Sequence, residues 1–186
     1  MNDVFVSGTT AEFEKPKEGV VKAVCSAVWD IGLQKGQWQG ETLMQYKVVL
    51  RFELDEVMKQ GKFAGKRFCL NPFYTKSLGK KANLRHILES WRGKPFTAEE
   101  LAKFNLSKLI GANCLVNIGY KESTGKPYIM SIMPLAAGMQ KIEPELDTNE
   151  IPEWIQKFIV EGKANEEACS VVSEGSVPED DTEIPF

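Results

Sequence analysis

Gln45-Tyr46-Lys47-Val48-Val49-Leu50-Arg51-Phe52-Glu53-Leu54 alternates cleanly along its length. Successive side chains of an extended chain point to opposite faces. Tyr46, Val48, Leu50, Phe52 and Leu54 therefore share one face, and Lys47, Val49, Arg51 and Glu53 share the other. The stretch predicts a half-buried β-strand with Lys47 and Arg51 turned outward. A strand of this kind needs partners, so the fold is decided by what flanks it.

Upstream, residues 20–29 (Val-Val-Lys-Ala-Val-Cys-Ser-Ala-Val-Trp) are rich in β-branched residues and short for a helix, which predicts a first strand. Residues 1–19 show no sustained period and read as an extended arm. Between the two strands, residues 34–40 hold Trp38 between Gly36 and Gly40 and read as a polar loop. Downstream, residues 59–66 form a basic connection punctuated by Gly61 and Gly65. Residues 67–78 read as a third strand, broken or bent at Pro72.

The period then changes. Leu84, Ile87, Leu88 and Trp91 fall on one helix face, with Gly93 as a C-terminal stop and Lys81, Arg85 and Arg92 along a basic edge. Thr97 and Glu100 have the spacing of a capping box, and Phe96 and Leu101 that of a hydrophobic staple, so a second short helix is expected through Phe104. Residues 113–121 and 128–135 complete a set of five strands, joined by a turn at 122–127. Three strands, helices and two strands is the order of the OB barrel, in which a helix between strands three and four plugs one end. The expected fold is mainly β, with some α: a five-stranded OB-type barrel over residues 20–136, followed by a C-terminal helix and an acidic tail.

Beyond that domain, Ile151, Trp154, Ile155, Phe158 and Ile159 make an apolar stripe with Pro152 in the first turn and Gly162 as a stop. Residues 137–162 therefore read as a linker carrying a short amphipathic helix, which either docks on the barrel or mediates self-association into a homo-oligomer. Residues 163–186 have the composition of a flexible tail.

Charge is divided along the chain. Residues 1–136 carry 20 Lys and Arg against 13 Asp and Glu, and residues 137–186 carry 3 against 13. The body is thus +7 and the remainder −10, a pattern suited to a polyanion-binding body with a competing internal anion. No basic segment leads into an apolar run at Met1-Asn2-Asp3-Val4, and no long uncharged apolar run occurs, so neither a signal peptide nor a membrane span is expected and the location is taken as cytoplasmic.

Cys25, Cys69, Cys114 and Cys169 lack the paired spacing of a zinc site, and His86 is the only histidine. The first three cysteines read as reduced core residues. No metal, cofactor or catalytic residue is expected. Residues 61–66 have the glycine spacing of a phosphate loop one residue too short, with Arg67 where Ser or Thr would be needed.

Unpaired nucleic acid is held by cations along the phosphates and by rings on which bases stack. Residues of both kinds concentrate around the third strand: Lys66, Arg67, Phe73, Tyr74, Lys76, Lys80, Lys81 and Arg85, joined by Lys47 and Arg51 from the strand before and by Trp38. Tyr120 and Tyr128 read as packing at a barrel end, and Trp29 and Trp91 as core.

The peptide Asp180-Asp181-Thr182-Glu183-Ile184-Pro185-Phe186 resembles the acidic, Ile-Pro-Phe-ending tip of bacterial and bacteriophage single-stranded DNA-binding proteins. Residues 74–81 and 88–96 resemble the phage-encoded branch of that family. The resemblance implies sequence-tolerant binding of single-stranded DNA in replication or recombination. It also implies that Asp180, Asp181, Glu183, Ile184, Pro185 and Phe186 recruit replication or repair proteins, in a host bacterial cytoplasm. Three rivals stand beside it. One is an RNA-binding OB protein; another is a metal-dependent nuclease on single-stranded or branched DNA, built on Glu53, Asp55 and Glu56; the third is a protein-interaction adaptor whose barrel binds no nucleic acid.

Overall fold

A computed structural model describes residues 14–38 and 40–174. Two long strands dominate it: β1 (Gly19–Trp38) and β2 (Glu41–Val57) pair antiparallel along almost their whole length. β3 (Arg67–Leu70) and β4 (Phe73–Thr75) both pair with β2. The expected third strand is thus two short ones, parted at Asn71-Pro72, where proline has no N–H to give a ladder. After the helices, β5 (Asn113–Tyr120) pairs with the start of β1, and β6 (Pro127–Pro134) pairs with β5. The result is a six-stranded antiparallel sheet in the order β3-β2-β1-β5-β6, with β4 beside β2. β3 and β6, at the two ends of that order, come into contact with each other.

The first strand is longer than the sequence suggests. It continues through Gly32 and Gly36 to Trp38, which pairs with Glu41 across the hairpin turn. Residues 34–38 are strand, not polar loop. Register shifts between Cys25 and Ala27 and between Asp30 and Gly32 bend β1. At the second, Gly32 takes φ 69° and its N–H donates to Asp30 Oδ1 at 3.2 Å.

α1 (Asn83–Arg92) buries Leu84, Ile87, Leu88 and Trp91, the stripe its period predicts. Ala82 offers no capping oxygen at its start, and Gly93 ends it in the left-handed conformation at φ 67°. Trp91 packs on Phe52 with ring centroids 5.5 Å apart, and its Nε1 donates to the Asn113 carbonyl at 3.0 Å. α2 (Ala98–Ala102) starts at the expected capping box: Glu100 N–H donates to Thr97 Oγ1 at 3.3 Å and Thr97 N–H to Glu100 Oε2 at 3.0 Å. It ends short of Phe104, whose ring packs edge-on against Phe96. A 3-10 turn over Leu106–Leu109 leads into β5.

The other face of β1 and β2 carries a second layer. α3 (Glu153–Glu174) lies on it, and Ala27, Trp29, Ile31 and Val49 bury Ile155, with Phe158 and Ile159 packed alongside. Burying a side chain such as Ile155 contributes about 1.5–3 kcal/mol. Strand β2 is therefore buried on both faces from Val48 to Leu54, where alternation predicts burial on one. Gly162 does not stop the helix, which runs on for twelve residues to Glu174. The tail expected from residue 163 is helical that far. The tip residues lie outside the described part of the chain.

The stretch between β6 and α3 has no regular structure, yet it is tied down as a strap. Asn113 exchanges two bonds with the Ile142 backbone at 2.9 Å each, Lys22 Nζ donates to the Gln140 carbonyl at 3.1 Å, and Arg67 donates to the Glu143 carbonyl at 2.8 Å. A loose linker is not what these residues form. Among the described residues no helix is long and apolar enough to cross a membrane.

Candidate nucleic-acid interface

The strap and α3 decide which of the expected contact residues face solvent. Arg51, expected outward, is only 4% exposed. Its Nε donates to Ser26 Oγ at 2.7 Å, a terminal nitrogen donates to the Asp147 carbonyl at 2.7 Å, and the guanidinium lies 5.2 Å from the Trp29 ring. Glu53 is fully buried nearby, and its two oxygens accept the N–H groups of Glu145 and Leu146 at 2.8 and 3.2 Å. The alternation that places both residues outward is correct as to side; the strap covers that side.

Arg67 is likewise used internally: its Nε pairs with Glu145 at 3.0 Å while it also holds Glu143. Tyr74 is buried in the main core, where burial pushes its phenol well above the usual tyrosine range, so it is a packing residue and not an outward ring. Phe73 points the other way and is partly exposed, but its ring packs on Phe158 at 5.4 Å and Trp154 at 6.3 Å. Arg85 donates to Glu89 at 2.9 Å; the Phe96 N–H first and Arg85 second hold that carboxyl below its ordinary range.

The remaining expected cations are accessible. Lys66, Lys80 and Lys81 are exposed and make no ion pair among the described residues. Lys76 is exposed and paired with Asp30. Lys47 is half-buried on β2, opposite Gly32 and Thr75. Trp38 ends β1 at the hairpin turn. Tyr46, which the alternation assigns to the core face, is instead 50% exposed, and its carbonyl accepts the Lys76 N–H at 2.7 Å. An open cavity of about 230 Å³ lies beside this pair, between β1 and α3, lined by Ile31, Tyr46, Lys76, Ile159 and Lys163 among others.

A second accessible group is the connection between β2 and β3. Met58 and Lys66 close it with a bond of 2.8 Å, Gly65 donates back to Met58 at 2.7 Å, and two further turns hold residues 61–66. Phe63 stands at its tip, 56% exposed, with Lys62 Nζ 5.8 Å from the ring centroid. The sequence singles out Lys66 from this loop by its charge and leaves Phe63 unmarked. Gly61 and Gly65 on either side are the available signal, because they remove any core for that ring to enter.

Cys25 and Cys114 lie in the core, and Cys69 is partly buried. Burial pushes the Cys25 thiol up to about 12 and the Cys69 thiol to about 11. Cys169 is exposed on α3. Among the described residues no group of His, Cys, Asp and Glu side chains is arranged to hold a metal ion. No protein-family model matches the chain, and no curated protein is matched by it.

Proposed function

We propose that this chain is a single-stranded DNA-binding protein of replication or recombination, with an OB-type barrel that grips phosphates and bases independently of sequence. The observation that carries the reading is the strand path. Counting β3 and β4 as one interrupted strand, the path β3-β2-β1-β5-β6, the contact between β3 and β6 and the place of α1 between the third and fourth strands in the chain are what an OB-type barrel would present, and they support that reading. The net +7 of residues 1–136, with Lys66, Lys80 and Lys81 at the surface and exposed Tyr46 lining the same cavity as Lys76, supplies the phosphate and base contacts in this reading.

The peptide Asp180–Phe186 recruits partner enzymes in this reading, its acids meeting a basic rim and Ile184 and Phe186 an apolar pocket. Only four acids, Glu179, Asp180, Asp181 and Glu183, follow Glu174, so the competing anion is smaller than the −10 of the whole segment. Deleting residues 178–186 raises DNA affinity at low salt if that peptide shields the body.

The deciding experiment is tryptophan fluorescence titration with oligothymidine at several salt concentrations. Saturable quenching whose affinity falls steeply with salt is expected. No response in dilute buffer overturns the reading, and equal affinity for a matched RNA strand redirects it to RNA.

A further inference from the structure

Phe63 is the most exposed aromatic ring among the described residues, and it does not hang from a loose loop. Residues 58–66 close on themselves through the Met58–Lys66 and Gly65–Met58 bonds, with tighter turns from Ala64 to Gly61 at 3.2 Å and from Lys66 to Phe63 at 3.0 Å. Gly61 and Gly65 take φ 81° and 82°, conformations that L side chains rarely adopt, and a Cβ at either would meet nothing within 4 Å. Their requirement is therefore conformational: they turn the chain so that Phe63 is presented at the tip.

A second element fixes the base of the loop. One carboxylate oxygen of Glu14 accepts the N–H groups of Lys59 at 2.6 Å and Gln60 at 2.9 Å. The residues after Glu14 are anchored in turn: Pro16 is buried, the Tyr120 hydroxyl donates to its carbonyl, and Lys17 N–H donates to Glu56 at 3.1 Å. A ring costs free energy to hold in water, and this loop holds one there with no core beneath it.

The surrounding charge indicates the ligand. Lys59, Lys62 and Lys66 all belong to this loop, and residues 57–66 contain no Asp or Glu. The nearby Glu14 carboxylate sits at the base of the loop, engaged by the Lys59 and Gln60 N–H groups. A ring on a segment whose own charged side chains are all lysines fits a polyanion that carries flat apolar faces, which describes unpaired nucleotides better than an apolar protein surface.

We propose that the 58–66 loop is a separate contact point for single-stranded nucleic acid, with Phe63 as a stacking residue, its lysines on the flanking phosphates and Glu14 as the latch that keeps the ring presented. This rests on the nucleic-acid-binding reading above and adds a site to it. Phe63→Ala weakens oligothymidine binding by about 5- to 150-fold, the loss of one base–ring stack. Phe63→Trp retains binding, and difference spectra against the wild type show the added indole emission quenched by the strand. Glu14→Ala weakens binding in the wild type and has little further effect in the Phe63→Ala background.

The outcomes separate. Wild-type chain that ignores the strand overturns the underlying reading. Wild-type chain that binds, with Phe63→Ala binding equally well and the added emission of the Phe63→Trp chain unchanged by the strand, overturns the loop assignment alone. If that added emission responds to polyglutamate and not to oligothymidine, the loop is a site for an acidic peptide and the assignment is likewise overturned.

Discussion

Gly162 of α3 lies directly on Ile31 of β1: a Cβ at Gly162 would stand 2.1 Å from the Ile31 carbonyl oxygen. Gln34 spans the same junction, its Nε2 donating to the carbonyls of Ile31 at 2.6 Å and Phe158 at 2.8 Å. In an isolated helix, replacing glycine with alanine gains about 1 kcal/mol. Here the obstacle is backbone, which cannot rotate aside, and overpacking of this kind costs about 1–3 kcal/mol. Gly162→Ala is therefore destabilising, read as a lower denaturant midpoint together with altered emission from Trp29 and Trp154, whose rings lie 6.1 Å apart. A raised midpoint would show that α3 does not rest on β1.

Glu53 is the point at which the strap is fastened. Glu53→Leu leaves the N–H groups of Glu145 and Leu146 without their acceptors and costs on the order of 3 kcal/mol by equilibrium unfolding. Glu53→Gln keeps one acceptor oxygen and costs less. Equal stability of all three chains would mean that residues 140–147 leave the sheet in solution.

These two sites also mark where the sequence is legible and where it is not. The strands and α1 are written locally: alternation gives β2, the i, i+3, i+4, i+7 spacing gives α1, and Thr97 with Glu100 gives the start of α2. The length of β1 is not, because Gly32 and Gly36 look like loop residues until their bulge and cross-strand neighbours are seen. Gly162 looks like a helix stop for the same reason; its purpose is close approach to a strand about 130 residues earlier in the chain. Arg51 and Glu53 look like an outward charged face because the strap that covers them has no period of its own. Of the expected contact residues, the lysines are readable from composition; Arg67 and Arg51 are covered by a strap that no local pattern registers, and Tyr74 turns into the main core because the break at Pro72 hides which face it takes.

The cysteines give a pH-dependent prediction. A free thiol titrates near 9, and burial raises Cys25 to about 12 and Cys69 to about 11, with Cys114 raised further still. At about pH 8 a thiol reagent should therefore modify exposed Cys169 quickly and leave the other three until the chain unfolds. The folded state keeps these protons where the unfolded state sheds them. Their contribution to stability is complete below pH 9 and is lost as pH climbs toward 12. Denaturant midpoints that stay level from about pH 8 to pH 11 would contradict this burial.

Lysines at the surface and cations under the strap separate binding from stability. Lys80→Ala with Lys81→Ala removes two exposed charges that make no ion pair among the described residues, so the unfolding midpoint should hardly move. If both meet phosphates, affinity for oligothymidine falls and the slope of log affinity against log salt becomes shallower by about 0.7 for each lost contact on a single strand. Arg67→Ala should do the reverse, lowering the unfolding midpoint by releasing Glu143 and Glu145 while leaving the salt slope nearly intact. Tyr74→Phe should leave affinity unchanged, since the ring is inside the main core. A salt slope unaltered by the double lysine variant but flattened by Arg67→Ala would place the phosphate path over the strap, with Arg67 drawn out of its pairing to meet the strand.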